Sequence, residues 1–211
     1  MFFEPPPAQE DTTHTPEPGL PAWAAPPADE MGAVMLSGLV LARSPNVTVH
    51  LPTIRAFGDG CLLNVDLYTR PHTLSPEDYQ SLFLSVIQNL MAKVGGGRLP
   101  DTLLRFGVRF ADGTKATTIG SHLSRRQLQQ EPPPPGPRLS WLLGGVAMRS
   151  GDQDTGVMPL GLWLWPSPPP EPFELAVEWP AGGIALSIAE LDGAAIASAA
   201  RRSAPSWPDP T

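Results

Sequence analysis

The chain has 211 residues, a length that suits one domain with appendages better than two. Its apolar content of 41% supports a buried core, and its 28 prolines and 20 glycines are clustered, so they mark tails and loops around that core. A net charge of −7 disfavours binding along a nucleic-acid backbone, a single cysteine excludes an intrachain disulfide, and no window approaches the roughly 18 apolar residues of a membrane helix.

Residues 1–30 read as a disordered Pro-rich tail. Eight of them are proline, and acidic and small residues fill most of the rest, so the segment buries too little apolar surface to offset its ordering entropy. Phe2, Phe3 and Trp23 are its exceptions: they either pin the tail to the domain or dock to a partner. The opening MFFEPPPAQE lacks a basic n-region and an apolar h-region, which predicts a cytoplasmic protein.

A single domain is expected over 31–203, with a loop or linker at 121–138 and a C-terminal tail at 204–211. VMLSGLVLAR reads as a strand ending at the turn Ser44-Pro45-Asn46. VTVHL alternates, with Val47, Val49 and Leu51 opposite Thr48 and His50. After the turn GDG at 58–60, CLLNVDLYT sets Cys61, Leu63, Val65 and Leu67 against Asn64, Asp66 and Tyr68, the pattern of a strand with one buried face. Ser75 as N-cap, Pro76 at the first helical position and acids at 77 and 78 predict a helix over about 76–94. Its apolar stripe runs through Tyr79, Leu82, Phe83, Val86 and Ile87.

LLRFGVRFADGTKATTI is the clearest hairpin, with Asp112-Gly113 expected as a two-residue turn. LSWLLGGVAM reads as a strand with a glycine bend. In PLGLWLWP, Leu160, Leu162 and Leu164 take one face and Trp163 and Trp165 the other. FELAVEWP sets Phe173, Leu175, Val177 and Trp179 against Glu174, Ala176 and Glu178. The face carrying Trp163 and Trp165 is expected either to lie under another element or to form a binding surface. GIALSIAEL is the last strand of the series, and Asp192 with the alanines after it predicts a short helix over about 193–202. Strands dominate and do not alternate with helices. The expected fold is therefore mainly β, an antiparallel immunoglobulin-like β-sandwich with one inserted and one terminal helix; a partly open barrel is the alternative.

The stretches MFFEPPP, WAAPP, LVLARSPNVTVHLPTIRAFGDG, LRFGVRFADGTKAT and LWLWPSPPPEPFELAVEWPAGGIALSIAELDGAAIASAA resemble proteins common in actinobacteria that have no assigned activity. The resemblance spans nearly the whole chain, and implies a bacterial origin and a cytoplasmic setting. It implies no activity.

The chain has no G-x-x-x-x-G-K-[ST], no G-x-G-x-x-G opening a helix, no H-E-x-x-H and no G-x-S-x-G. His14, His50, His72 and His122 lack ligand spacing, so no metal or cofactor is expected. Glu174 and Glu178 lie two pleats apart, roughly 13 Å, wider than a glycosidase carboxylate pair. The leading expectation is a non-enzymatic protein-interaction module, with neither nucleic acid nor membrane as partner. The alternative is a small-molecule or carbohydrate-binding sandwich that stacks ligands on surface tryptophans. The candidate binding residues are Trp163, Trp165, Trp179, Phe2, Phe3 and Trp23.

Overall fold

A computed structural model describes residues 20–91, 100–119, 135–142 and 156–207. Among them the chain is mainly β, and every strand pairing is antiparallel. The strands are β1 (Glu30–Met31), β2 (Ala33–Arg43), β3 (Val47–Ala56), β4 (Cys61–Thr69), β5 (Arg105–Arg109), β6 (Lys115–Thr117), β7 (Arg138–Leu142), β8 (Gly156–Trp165), β9 (Pro172–Trp179), β10 (Ile184–Asp192) and β11 (Ala204–Pro205). A five-stranded sheet runs β2-β3-β4-β8-β7, and a four-stranded sheet runs β10-β9-β5-β6. Neither closes into a barrel. A two-stranded ribbon, β1-β11, joins the two ends of the described chain.

The alternation read from the sequence sets the core. Val47, Val49, Leu51, Leu63, Val65, Leu67, Leu160, Leu162 and Leu164 from the larger sheet meet Phe106, Val108, Phe173, Leu175, Val177 and Trp179 from the smaller one in one buried cluster. Burying such aliphatic side chains supplies roughly 1.5–3 kcal/mol each before the entropy of ordering is set against it.

The inserted helix α1 spans Pro76–Met91 in the described residues, and the predicted end at 94 lies outside them. Ser75 Oγ accepts from the Asp78 N–H at 3.1 Å and donates to the Asp78 carboxylate at 2.7 Å, so the cap is reciprocal. Leu82 and Val86 carry the helix into the core. Helix α2 spans Gly193–Ala200; its N-cap Asp192 accepts from the Ala195 N–H at 3.0 Å. It stops two residues short of the predicted end. Arg202 instead turns back, and its guanidinium donates to the Ser198 carbonyl at 3.1 Å, which complements the negative end of the helix.

Several boundaries differ from the sequence reading. Strand β3 runs past Leu51 to Ala56 although Pro52 cannot donate to a ladder; a bulge between His50 and Thr53 absorbs it. The β5–β6 hairpin has a three-residue loop, not two. The Phe110 N–H bonds to the Thr114 carbonyl, and Gly113, at φ +84°, takes the left-handed position. Arg138, placed in the loop or linker 121–138, is the first residue of β7; residues 120–134 lie outside the described ones. Residues 204 and 205, assigned to the tail, form β11. Residues 20–30, also assigned to a disordered tail, are ordered against the larger sheet, with Trp23 and Ala24 buried. Trp23 is the reason: its ring is buried beneath the Arg138 guanidinium of β7.

Candidate functional site

The tryptophans named as candidate binding residues are mostly inside. Trp163 is fully buried. Its indole N–H donates to the Ala22 carbonyl at 2.9 Å, and its ring meets Phe57 edge-to-face with centroids 5.6 Å apart. Gly60 is glycine because a Cβ there would lie 2.7 Å from the Trp163 ring. The outer face of β8 is thus covered here by the segment before β1, and not by either helix. Trp23 fastens that segment: the Arg138 guanidinium lies over its ring, 5.4 Å from the centroid. Burial holds Arg138 below its ordinary arginine value.

Trp179 is core. Its indole N–H donates to Ser85 Oγ at 2.8 Å, and Ser85 in turn donates to the Leu82 carbonyl at 2.6 Å. The ring therefore ties β9 to α1. Trp165, the last residue of β8, is half-buried opposite Arg138. Phe2 and Phe3 lie outside the described residues. The structure does not gather these side chains into one surface. Trp163 sits on the outer side of the larger sheet beneath residues 22–24, and Trp179 sits between the sheets and α1.

Cys61 is fully buried, and burial pushes its thiol up to about 12, far from a reactive thiolate. Glu174 is engaged by Arg109, whose Nε and Nη2 donate to its two carboxylate oxygens at 2.6 and 2.7 Å. That hydrogen bonding holds the Glu174 carboxyl below its ordinary range. Arg105 pairs with Glu178 at 3.0 Å. On the outer face of the smaller sheet Arg109 and Arg105 are thus matched to Glu174 and Glu178. Among the described residues no three His, Cys, Asp or Glu side chains gather as a metal site requires. No described helix is long and apolar enough to cross a membrane.

The sequence reading singled out the outer face of the larger sheet at Trp163 and Trp165 of β8, and not its continuation over β2, β3 and β4. Side chains directly opposite in register share a face, so the pairings give its layout. One row reads Val34, Arg55, Leu62, Trp163 and Ser140; the next reads Leu36, Thr53, Asn64, Gly161 and Leu142; the third reads Val40, His50, Asp66 and Pro159. Gly161 leaves a gap in the middle row. A Cβ there would lie 3.2 Å from Leu142 Cβ and 3.3 Å from Leu62 Cδ1. Around that gap lies an open trough of about 290 Å³, with Arg55, Asn64 and Asp66 as its polar groups and Leu62, Leu142 and Pro159 as its apolar walls. Asn64 Nδ2 donates to Thr53 Oγ1 at 3.0 Å, which fixes the amide. The Tyr68 hydroxyl lies 3.5 Å from Asp66 Oδ2. Neither Arg55 nor Asp66 has an ion-pair partner among the described residues. Beyond the trough, Val34, Leu36 and Val40 of the edge strand β2 are exposed, Leu36 to 85%.

A smaller cavity of about 130 Å³ lies at the start of α1. Its Thr69 and Ser75 hydroxyls are already bonded to the Gly156 carbonyl and to Asp78, so it offers less to a ligand.

One signal for the trough is in the sequence. Pro159 and Gly161 put almost no bulk on the outer face of β8, opposite the polar Asn64 and Asp66 of β4. No family model, curated protein or solved structure matches the chain.

Proposed function

We propose that the protein is a non-enzymatic interaction module that docks a partner protein on the outer face of its five-stranded sheet, in a bacterial cytoplasm. The observation that carries this reading is the open trough at Gly161 together with the exposed aliphatic side chains Val34, Leu36 and Val40 on the same face. Exposed aliphatic side chains on one edge of a face, with a trough of mixed polar and apolar lining across β3 from them, are what a docking surface needs. The net charge of −7 favours a protein over a nucleic acid as partner. A reading in which tryptophans stack a sugar or small ligand loses Trp163 and Trp179, which are buried, and is left with the half-buried Trp165 of β8. An immunoglobulin-like assignment rests on two stacked antiparallel sheets. The unbroken β2-β3-β4 meander in one sheet departs from that fold, whose chain changes sheet after its second strand.

The test is a paired substitution. Leu36→Asp with Val40→Asp alters exposed side chains and is expected to leave the melting temperature within about 2 °C. In chemical cross-linking in the native host, this variant should lose a partner that the unaltered protein captures. Ile188→Asp, on the outer face of the other sheet, should keep it. If the Leu36/Val40 variant retains the same partner, the docking face is wrong.

A further inference from the structure

We infer that the trough at Gly161 seats an extended peptide segment of the partner, one carrying an acidic and a basic residue four positions apart with an aliphatic residue midway. This deepens the proposed docking face and rests on it. The polar groups of the trough do not converge on one point, as they would around a compact ligand. They are strung along the strand direction, one per row. Arg55 lies in the Leu62 row, Asn64 in the Gly161 row and Asp66 in the Pro159 row.

Successive rows on one face of a sheet are two residues apart, roughly 6.6 Å, so Arg55 and Asp66 stand about 13 Å apart along the strands. An extended peptide laid along β4 repeats at the same interval, and its positions i, i+2 and i+4 face the same way. Position i then meets Arg55, an exposed cation. Position i+4 meets Asp66, a half-buried anion. Position i+2 falls in the row of Asn64 and Gly161, and its side chain turns toward β8, where the missing side chain of Gly161 leaves room between Leu62 and Leu142.

Asn64 adds recognition of the peptide backbone. Its amide spends one N–H on Thr53 and keeps its oxygen and second N–H without a partner among the described residues. The charges, the gap and the amide thus fit one polypeptide occupant. The opposite charges at the two ends also reject a peptide bearing the same charge at both. The smaller sheet offers no equivalent, because Arg105 and Arg109 are already paired with Glu178 and Glu174.

The experiment measures binding of fluorescent capped pentapeptides to the full chain by anisotropy. The probes have valine third and serine second and fourth. One set carries glutamate and lysine at the two ends, in either order; the others carry two glutamates or two lysines. The mixed-charge probes are expected to bind at least about tenfold more tightly than either like-charged probe. Arg55→Glu should switch the preference to the two-lysine probe, and Asp66→Lys to the two-glutamate probe. Both substitutions lie on the outer face, and thermal melting checks that each variant is folded. Mixed-charge probes that bind no better than the others, or a preference that neither substitution moves, would overturn the inference. If that happens while the Leu36/Val40 variant still loses its cross-linked partner, the peptide chemistry fails and the docking face stands.

Discussion

Trp163 shows how a single side chain changes meaning with its surroundings. On β8 it points away from the leucines that build the main core, as its alternation with Leu162 and Leu164 requires. It is nonetheless buried, because Ala22 receives its indole N–H, Phe57 meets its edge and Gly60 makes room for its ring. Trp163→Ala removes a large buried ring and leaves the Ala22 carbonyl without its donor. The expected loss is roughly 3–5 kcal/mol, read as a fall of about 10 °C in the thermal midpoint. A shift within 2 °C would mean the ring is not structural. The sequence carried the direction of this side chain and nothing about what lies over it.

Elements were legible where local rules decide them. The α1 start at Ser75 and the α2 start at Asp192 follow from capping chemistry, which needs only neighbours in sequence. The strands follow from alternation. Errors fell where a turn or a bulge adds a residue. The β5–β6 hairpin contains the Asp-Gly pair of a tight turn, yet the loop takes in Ala111 as well, and Gly113 occupies the left-handed position with open space around it. The cost of Gly113→Ala is therefore backbone strain alone. It is expected to destabilise by about 1 kcal/mol, visible as a lower midpoint in denaturant with an unchanged slope. Pro52 is a second local case: it removes a donor from the β3 ladder, and a bulge between His50 and Thr53 lets the strand pass it.

At the scale of the whole molecule, both sheets and both helices contribute to one buried cluster, so no sheet can lose its inner face without exposing the other's. The β1-β11 ribbon ties the start of the described chain to its end, 175 residues apart in sequence at the pair Glu30 and Pro205. Unfolding is expected to be cooperative. Far-UV circular dichroism, which follows the strands, and tryptophan fluorescence, which follows Trp163 and Trp179, should give the same thermal midpoint. Separate midpoints would show that the sheets melt independently.

The sequence by itself determined where the main strands and both helices start and which face of each main strand is apolar, because side-chain period and capping are properties of neighbouring residues. That was enough to assemble the inner faces of both sheets, from Val49 and Leu63 to Leu175. Only the tertiary structure decided the outer face. Covering Trp163 required a segment some 140 positions away, held by Trp23 against Arg138. The trough required the registers of four strands to bring Arg55, Asn64, Asp66, Gly161 and Leu142 together. Register depends on bulges and on which strands become neighbours, and those follow from the free energy of the whole packed chain, which no short stretch of residues contains.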